Sequence, residues 1–161
     1  MIKAEHIAGA GGTFVSLLLV FLVSQIVLDQ ESVRILSASM GASAVLLFAA
    51  PHNAMSQPWP LIGGHVVSAL IGVACAKHIE MLALAAPLAV ALSFLAMSVL
   101  RCIHPPGGAA ALLAVVGGND IQALGYQFVV TPVLINALIM LIMVYLIDNF
   151  LLRRLYPKGS A

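Results

Sequence analysis

Charged side chains interrupt this sequence so rarely that their spacing constrains the fold more than any other feature of the chain. Seven Lys or Arg and six Asp or Glu are spread over 161 residues, at Lys3, Glu5, Asp29, Glu31, Arg34, Lys77, Glu80, Arg101, Asp120, Asp148, Arg153, Arg154 and Lys158. Between them run the apolar blocks Ile7 to Leu28, Ile35 to Ala50, Leu61 to Ala76, Met81 to Leu100, Pro105 to Gly118 and Leu124 to Ile147. A hydrocarbon core of roughly 30 Å takes about 20 apolar residues of helix to cross. The first, fourth and sixth blocks reach that length, and the third does so if it runs to about Ile79 with Lys77 snorkelling to the interface. With 62% of residues hydrophobic and 8% charged, too little polar surface exists to cover a water-facing exterior. The expected fold is an all-α polytopic membrane bundle, one transmembrane domain over 1–161, with four long spanning helices and two short or discontinuous ones.

The second and fifth blocks are the short ones. Both open with small or helix-breaking residues, Ser37-Ala38-Ser39-Met40-Gly41 and His104-Pro105-Pro106-Gly107-Gly108. Non-helical backbone at membrane depth survives only where protein or a watery cavity satisfies its polar groups, so two such openings imply an interior site. A shift of 67 positions lays Gly41-Ala42-Ser43-Ala44-Val45-Leu46 on Gly108-Ala109-Ala110-Ala111-Leu112-Leu113 and the third block on the sixth. This suggests an internal two-fold repeat over 7–79 and 81–147, against the competing reading that an Ala- and Leu-rich chain matches itself by chance. Paired short segments in two halves are the sequence pointer to a transporter's binding site.

Orientation follows from Lys and Arg placement. With re-entrant short helices, Lys3, Lys77, Arg153, Arg154 and Lys158 share one side and Arg34 and Arg101 the other. With full crossings, the first set is Lys3, Arg101, Arg153, Arg154 and Lys158, opposite Arg34 and Lys77. Both arrangements predict cytoplasmic termini. The first block runs 22 residues without a small-residue cleavage site, which reads as a retained span rather than a signal peptide. No transit or lipidation motif is recognisable, which makes a bacterial inner membrane the expected location.

Several function classes recede on the same grounds. A net charge of +1 provides no clustered basic face for nucleic acid. Cys75 and Cys102 are far apart and make neither a disulfide framework nor a zinc spacing. A metal trio of Cys102, His104 and His65 lacks an acidic partner, so neither a metal nor another cofactor is expected. No Asp or Glu lies within an apolar block, which argues against an enzyme.

The chemistry concentrates around His104. Pro105 and Pro106 suit a helix's first turn, and the amides of Gly107, Gly108 and Ala109 would then face an anion at a positive dipole end. Ser39, Gly41 and Ser43 would furnish a second N-terminus of that kind. The competing reading is a tight turn with capping serines. His65 and His104 at membrane depth are functional candidates by default, while a neutral interhelical hydrogen bond is the plainer role for His65. Arg101 and Gln57 stand as entrance candidates, Gln57 in a polar loop, Pro51 to Pro60, that carries the interfacial Trp59. Gly64, Ser68, Gly72 and Ala76 form a small-residue stripe for close helix packing, and Asn136 reads as an interhelical bond.

The stretch His104-Pro105-Pro106-Gly107-Gly108-Ala109-Ala110-Ala111-Leu112 resembles the signature that names the HPP family. Ser39 to Phe48 followed by Pro51, then Ser56-Gln57-Pro58, then Gly64 to Ala69 resemble its other recurring segments in the same order. The sequence departs from the family pattern at Ala110, where a threonine hydroxyl is expected. The family is described as having four spanning segments, and plant and cyanobacterial members are linked to nitrite transport. The resemblance therefore implies a small-anion permease with nitrite as the leading substrate. A structural or assembly subunit without transport activity is the alternative. With so few helices, a homo-oligomer is expected if a pathway is to be enclosed.

Overall fold

A computed structural model describes residues 4–157, and among these every regular element is helical. Helix α1 covers Ala4–Ser24, α2 Gln30–Ala49, α3 Pro58–His78, α4 Leu82–Val99, α5 Pro105–Val116 and α6 Gly118–Leu124. The last element, α7, covers Ile135–Leu146 and runs on into a wider turn, Ile147–Leu151; the segment before it, Val129–Leu134, is kinked at Thr131, whose backbone is non-helical (φ −128°, ψ 111°). Five stretches are long and apolar enough to cross a bilayer, namely α1, α2, α3, α4 and Val129–Leu151. The molecule is a multi-pass helical membrane bundle.

The exterior confirms which solvent the chain expects. Phe14, Leu18 and Leu22 on α1, Phe94, Leu95 and Val99 on α4, and Ile142 and Leu146 on α7 all point outward, with Val99 80% exposed. An apolar band of that extent around a water-soluble monomer would drive association, whereas in acyl chains it is the lipid-facing surface.

One expectation is corrected. The segment Ser37-Ala38-Ser39-Met40-Gly41 does not open a short helix; it lies in the middle of the continuous 20-residue α2. This helix begins at Gln30, where the Asp29 carboxylate accepts from the amides of Ser32 (3.1 Å) and Glu31 (3.2 Å). Hydrogen bonds from Ser32 hold that carboxyl below its ordinary range. Counting apolar residues between charges missed the first turn, because Glu31 sits favourably at a helix N-terminus and Arg34 reaches outward from it. Among the described residues, the helices long and apolar enough to span therefore number five, where four were expected.

The fifth block behaves as expected. After α4 the chain turns back at Arg101, which adopts a left-handed backbone (φ 53°), and α5 starts at Pro105 beside the middle of α2. Its far end lies level with the start of α2, where the Ser32 hydroxyl donates to the Gly117 carbonyl. Gly118 then takes φ 81°, open to glycine, and the chain turns into α6. Lys77, at the end of α3, lies on this same face with its ammonium 5.7 Å from the Tyr126 ring. Arg34 and Lys77 thus occupy the face opposite Arg101, Arg153 and Arg154. Lys3 and Lys158 lie outside the described residues.

Helix α3 is the hub, packed most extensively on α5 and α4. The small-residue stripe makes this approach possible. A Cβ added at Gly64 would fall 2.6 Å from His104 Cβ, one at Gly72 2.5 Å from the Ala111 carbonyl oxygen, and one at Gly107 2.6 Å from the Gly64 carbonyl oxygen. Backbone stands behind two of these contacts, so the helices would have to separate. By contrast, a Cβ at Gly41 meets nothing within 4 Å. We predict that Gly72→Ala and Gly107→Ala each lower stability by about 1–3 kcal/mol. Gly41→Ala should leave stability unchanged or raise it by up to about 1 kcal/mol, as a glycine inside a helix does. Unfolding of the purified protein in detergent, followed by circular dichroism, checks both, and a large loss at Gly41 would contradict the continuous helix.

Candidate functional site

Four buried polar side chains from three elements converge where α5 begins. Ser39 and Ser43 come from one face of α2, His65 from α3, and His104 caps α5. His65, His104 and Ser43 are all 0% exposed. The imidazole centroids lie 4.9 Å apart and the rings are tilted by 47°. At 1.5 Å per residue, His65 lies about 10 Å along α3 from its first turn, well inside the hydrocarbon region.

The hydrogen bonds assign the tautomers. His65 Nδ1 lies 2.9 Å from the Leu61 carbonyl oxygen, and His104 Nδ1 lies 2.8 Å from that of Met55. A carbonyl oxygen only accepts, so each Nδ1 carries the proton and donates it. Both Nε2 atoms then meet the same hydroxyl, with Ser43 Oγ 3.3 Å from His65 and 3.1 Å from His104. The Ser43 Oγ also lies 3.4 Å from the Ser39 carbonyl oxygen. The Ser39 hydroxyl donates to the Pro106 carbonyl at 2.9 Å, linking α2 to the first turn of α5.

This geometry sorts the candidates from the sequence. Ser39, Ser43, His65, His104, Pro106 and Gly107 come together. Pro105 and Ala109 face outward, Gly108 lies toward Val90 on α4, and Gly41 is on α2 away from any helix end. The anticipated meeting of two helix N-termini is therefore overturned. α2 provides hydroxyls rather than free amides at this depth. On α5, Pro105 and Pro106 have no N–H, and the Gly107 amide is already bonded to the His104 carbonyl at 2.8 Å. Arg101 is exposed at the mouth of the connection into α5. Gln57 does not turn inward; its side-chain amide ties the loop together through the Pro51 and Asn53 carbonyls at 2.9 and 3.0 Å. Cys102 packs on Gly63. Asn136 donates to Ser24 at 2.8 Å, an interhelical bond between α7 and α1.

Sequence reasoning missed two features of this face. The Met55 carbonyl, the partner of His104, is held by the short turn Ala54–Ser56, which Asn53 caps with an acceptor bond from the Met55 amide. That turn is buttressed by Tyr156, whose hydroxyl donates to the Ser56 carbonyl at 2.8 Å. Burial raises the Tyr156 hydroxyl well above its ordinary value, so it stays a donor. Asp148, expected to fall beyond the last apolar block, is buried in the final turn and pairs with Arg154 at 2.5 Å. On the other face of α2, an open cleft of about 990 Å³ separates α1 from the Pro51–Asn53 loop, with His6, His52 and Arg154 on its rim. No periodicity or motif in the sequence marks the bonds of His104 to Met55 and of Tyr156 to Ser56, because they join residues 49 and 100 positions apart.

The fold and this buried polar cluster define a class, that of polytopic helical membrane proteins with an ionisable site at depth. A family model for the HPP transmembrane region matches residues 2–157, and the chain belongs to that family. Two transmembrane proteins of Dictyostelium discoideum are similar to it, one 39% identical over 77% of this chain and 45% of its own length, the other 35% identical over 90% and 48%. The chain thus spans less than half the length of these curated relatives. No solved structure matches.

Ser43→Ala removes the one hydroxyl that both Nε2 atoms face. We predict a loss of about 1–3 kcal/mol, the cost of leaving a further buried nitrogen without a donor. Ser39→Ala, which strips one neutral bond from the Pro106 carbonyl, should cost only about 1 kcal/mol. Thermal unfolding of the two variants side by side checks the order, and an equal or reversed cost would show that Ser43 is not shared.

Proposed function

We propose that this protein is a permease for a small inorganic anion, with nitrite as the leading substrate, and not an enzyme. The observation that carries the reading is the cluster of Ser39, Ser43, His65 and His104 buried at membrane depth where α5 begins. Ionisable side chains inside a bilayer are costly and mark ion pathways more often than packing. A half-length helix opening beside them is the arrangement by which membrane transporters build sites at depth. Family membership supports the reading through the nitrite transport linked to other members. The anion enters past Arg101 and reaches the cluster when the first turn of α5 moves off α3, since Gly107 and Gly64 close the way in the present conformation. The face bearing Arg101, Arg153 and Arg154 is cytoplasmic by the positive-inside rule, which places both termini there, in a bacterial inner membrane. A homo-oligomer encloses the pathway where one copy leaves it open to lipid.

Reconstituted in liposomes, the protein should take up nitrite faster than empty vesicles, and His104→Ala should reduce that excess at least about tenfold, a barrier increase of about 1.4 kcal/mol. Flux equal to empty vesicles would overturn the transport reading, and full flux in the variant would overturn the site.

The close packing of Gly107 on Gly64 favours a second reading, a structural or assembly subunit whose glycine faces dock helices. In that case a partner copurifies, and substitutions at Gly64 or Gly72 matter more than those at His104.

A further inference from the structure

The hydrogen-bond inventory of the cluster is short by one proton. With Nδ1 of each imidazole committed to a backbone carbonyl, the neutral rings present two bare Nε2 acceptors to the single hydroxyl of Ser43. That hydroxyl has one hydrogen and can satisfy one nitrogen, while the other keeps a buried, unpaired lone pair. A proton added to either Nε2 completes the set. The protonated ring donates to Ser43 Oγ, and the Ser43 hydroxyl donates to the remaining Nε2. A second proton would set two positive charges side by side in hydrocarbon with ring centroids 4.9 Å apart, so the pair holds one proton and not two.

The surroundings leave that charge to the pair itself. Among the described residues, α2 turns the hydroxyls of Ser39 and Ser43 toward the rings, the Ala54–Ser56 turn offers the Met55 carbonyl, and α5 brings no ionisable group. The connection into α5 carries the Cys102 thiol, packed on Gly63, and the exposed Arg101. The C-terminal segment contributes Tyr156, bonded to Ser56, and α7 contributes Asn136, bonded to Ser24. Among the described residues, no carboxylate is bonded to either ring. A lone positive charge here is opposed by the N-terminal dipole of α5, and an unaccompanied anion is opposed by the hydrocarbon. A proton and an anion arriving together remove both penalties.

We propose that the Ser43-bridged pair of His65 and His104 binds one proton, and that this proton travels with the anion, making transport a proton–anion symport. The symport rests on the permease reading above, whereas the proton site stands on the hydrogen bonds alone. One proton from the aqueous phase adds to one Nε2 as the anion binds, and both leave on the far side, so the cycle is neutral for a monovalent anion. Linkage makes the coupling reciprocal: bound nitrite raises the pair's proton affinity by the factor, about 5- to 150-fold, by which the proton raises the affinity for nitrite.

Two measurements on the full chain test this separately. With histidines labelled with nitrogen-15 and the protein in lipid nanodiscs, magnetic resonance should find His65 and His104 both as Nδ1–H tautomers at neutral pH. Acidification should add one proton to the pair, and sodium nitrite should move that midpoint upward by about 1 to 2 pH units, the shift corresponding to that coupling. Ser43→Ala should lower the midpoint because the protonated state loses its bridging acceptor; His104→Gln should remove the shared titration. Independent uptake of two protons, or Nε2–H tautomers, would overturn the proton site whatever the transport result. In liposomes carrying an internal pH dye, nitrite uptake above the empty-vesicle rate should acidify the lumen by one proton per anion and accelerate under an inward proton gradient. Nitrite flux without extra acidification would overturn the symport and leave the permease standing, while absence of flux would overturn both transport readings.

Discussion

The structure depends on how a chain can start a helix inside hydrocarbon without leaving its backbone polar groups unpaired. α5 begins about 10 Å below the ends of its neighbours, where no water is on hand to accept or donate. The solution is local and complete. Two prolines remove the amides that would be orphaned, the Gly107 amide turns back to the His104 carbonyl, and Ser39 reaches across from α2 to the Pro106 carbonyl. The stretch leading into the helix is pressed against the glycines of α3, which let backbone touch backbone.

That same requirement places the histidines. Each ring spends its Nδ1 proton on a carbonyl of the protein, one within α3 and one in the turn before it, and this commits the remaining nitrogens to a single serine. The cluster that holds the discontinuous helix in place is therefore also the one with capacity to change its protonation. In the proton site proposed above, a contact that is structural in one protonation state becomes a place for charge in the other.

Several parts of this were legible beforehand. Helical spans, the small-residue stripe on α3, the interruption before Pro105 and the candidacy of His65 and His104 all follow from local composition, because lipid penalises charge and unpaired backbone wherever they occur. The error at Gly41 had a physical cause. Serines and glycines in an apolar run read as an opening, yet α2 begins earlier, at Gln30 behind the Asp29 cap, and carries Glu31 and Arg34 in its first turns. Charged residues near a helix end mark the interface rather than the boundary of the helix.

By itself, the sequence determined that this chain lives in a bilayer, that it does so as helices, and that one of them starts at Pro105, just after His104, since these depend on the chemistry of neighbouring residues and the solvent around them. Only the tertiary structure decided that Ser43 would stand between two imidazoles, that Met55 would orient one of them, and that Tyr156 would hold the turn beneath. Those contacts bridge 22 to 100 positions of chain. Hydrogen bonding between side chains so far apart is set by how helices pack and turn toward one another, and no local pattern of residue types encodes a rotation of α2 that points Ser43, rather than its neighbours, at both rings.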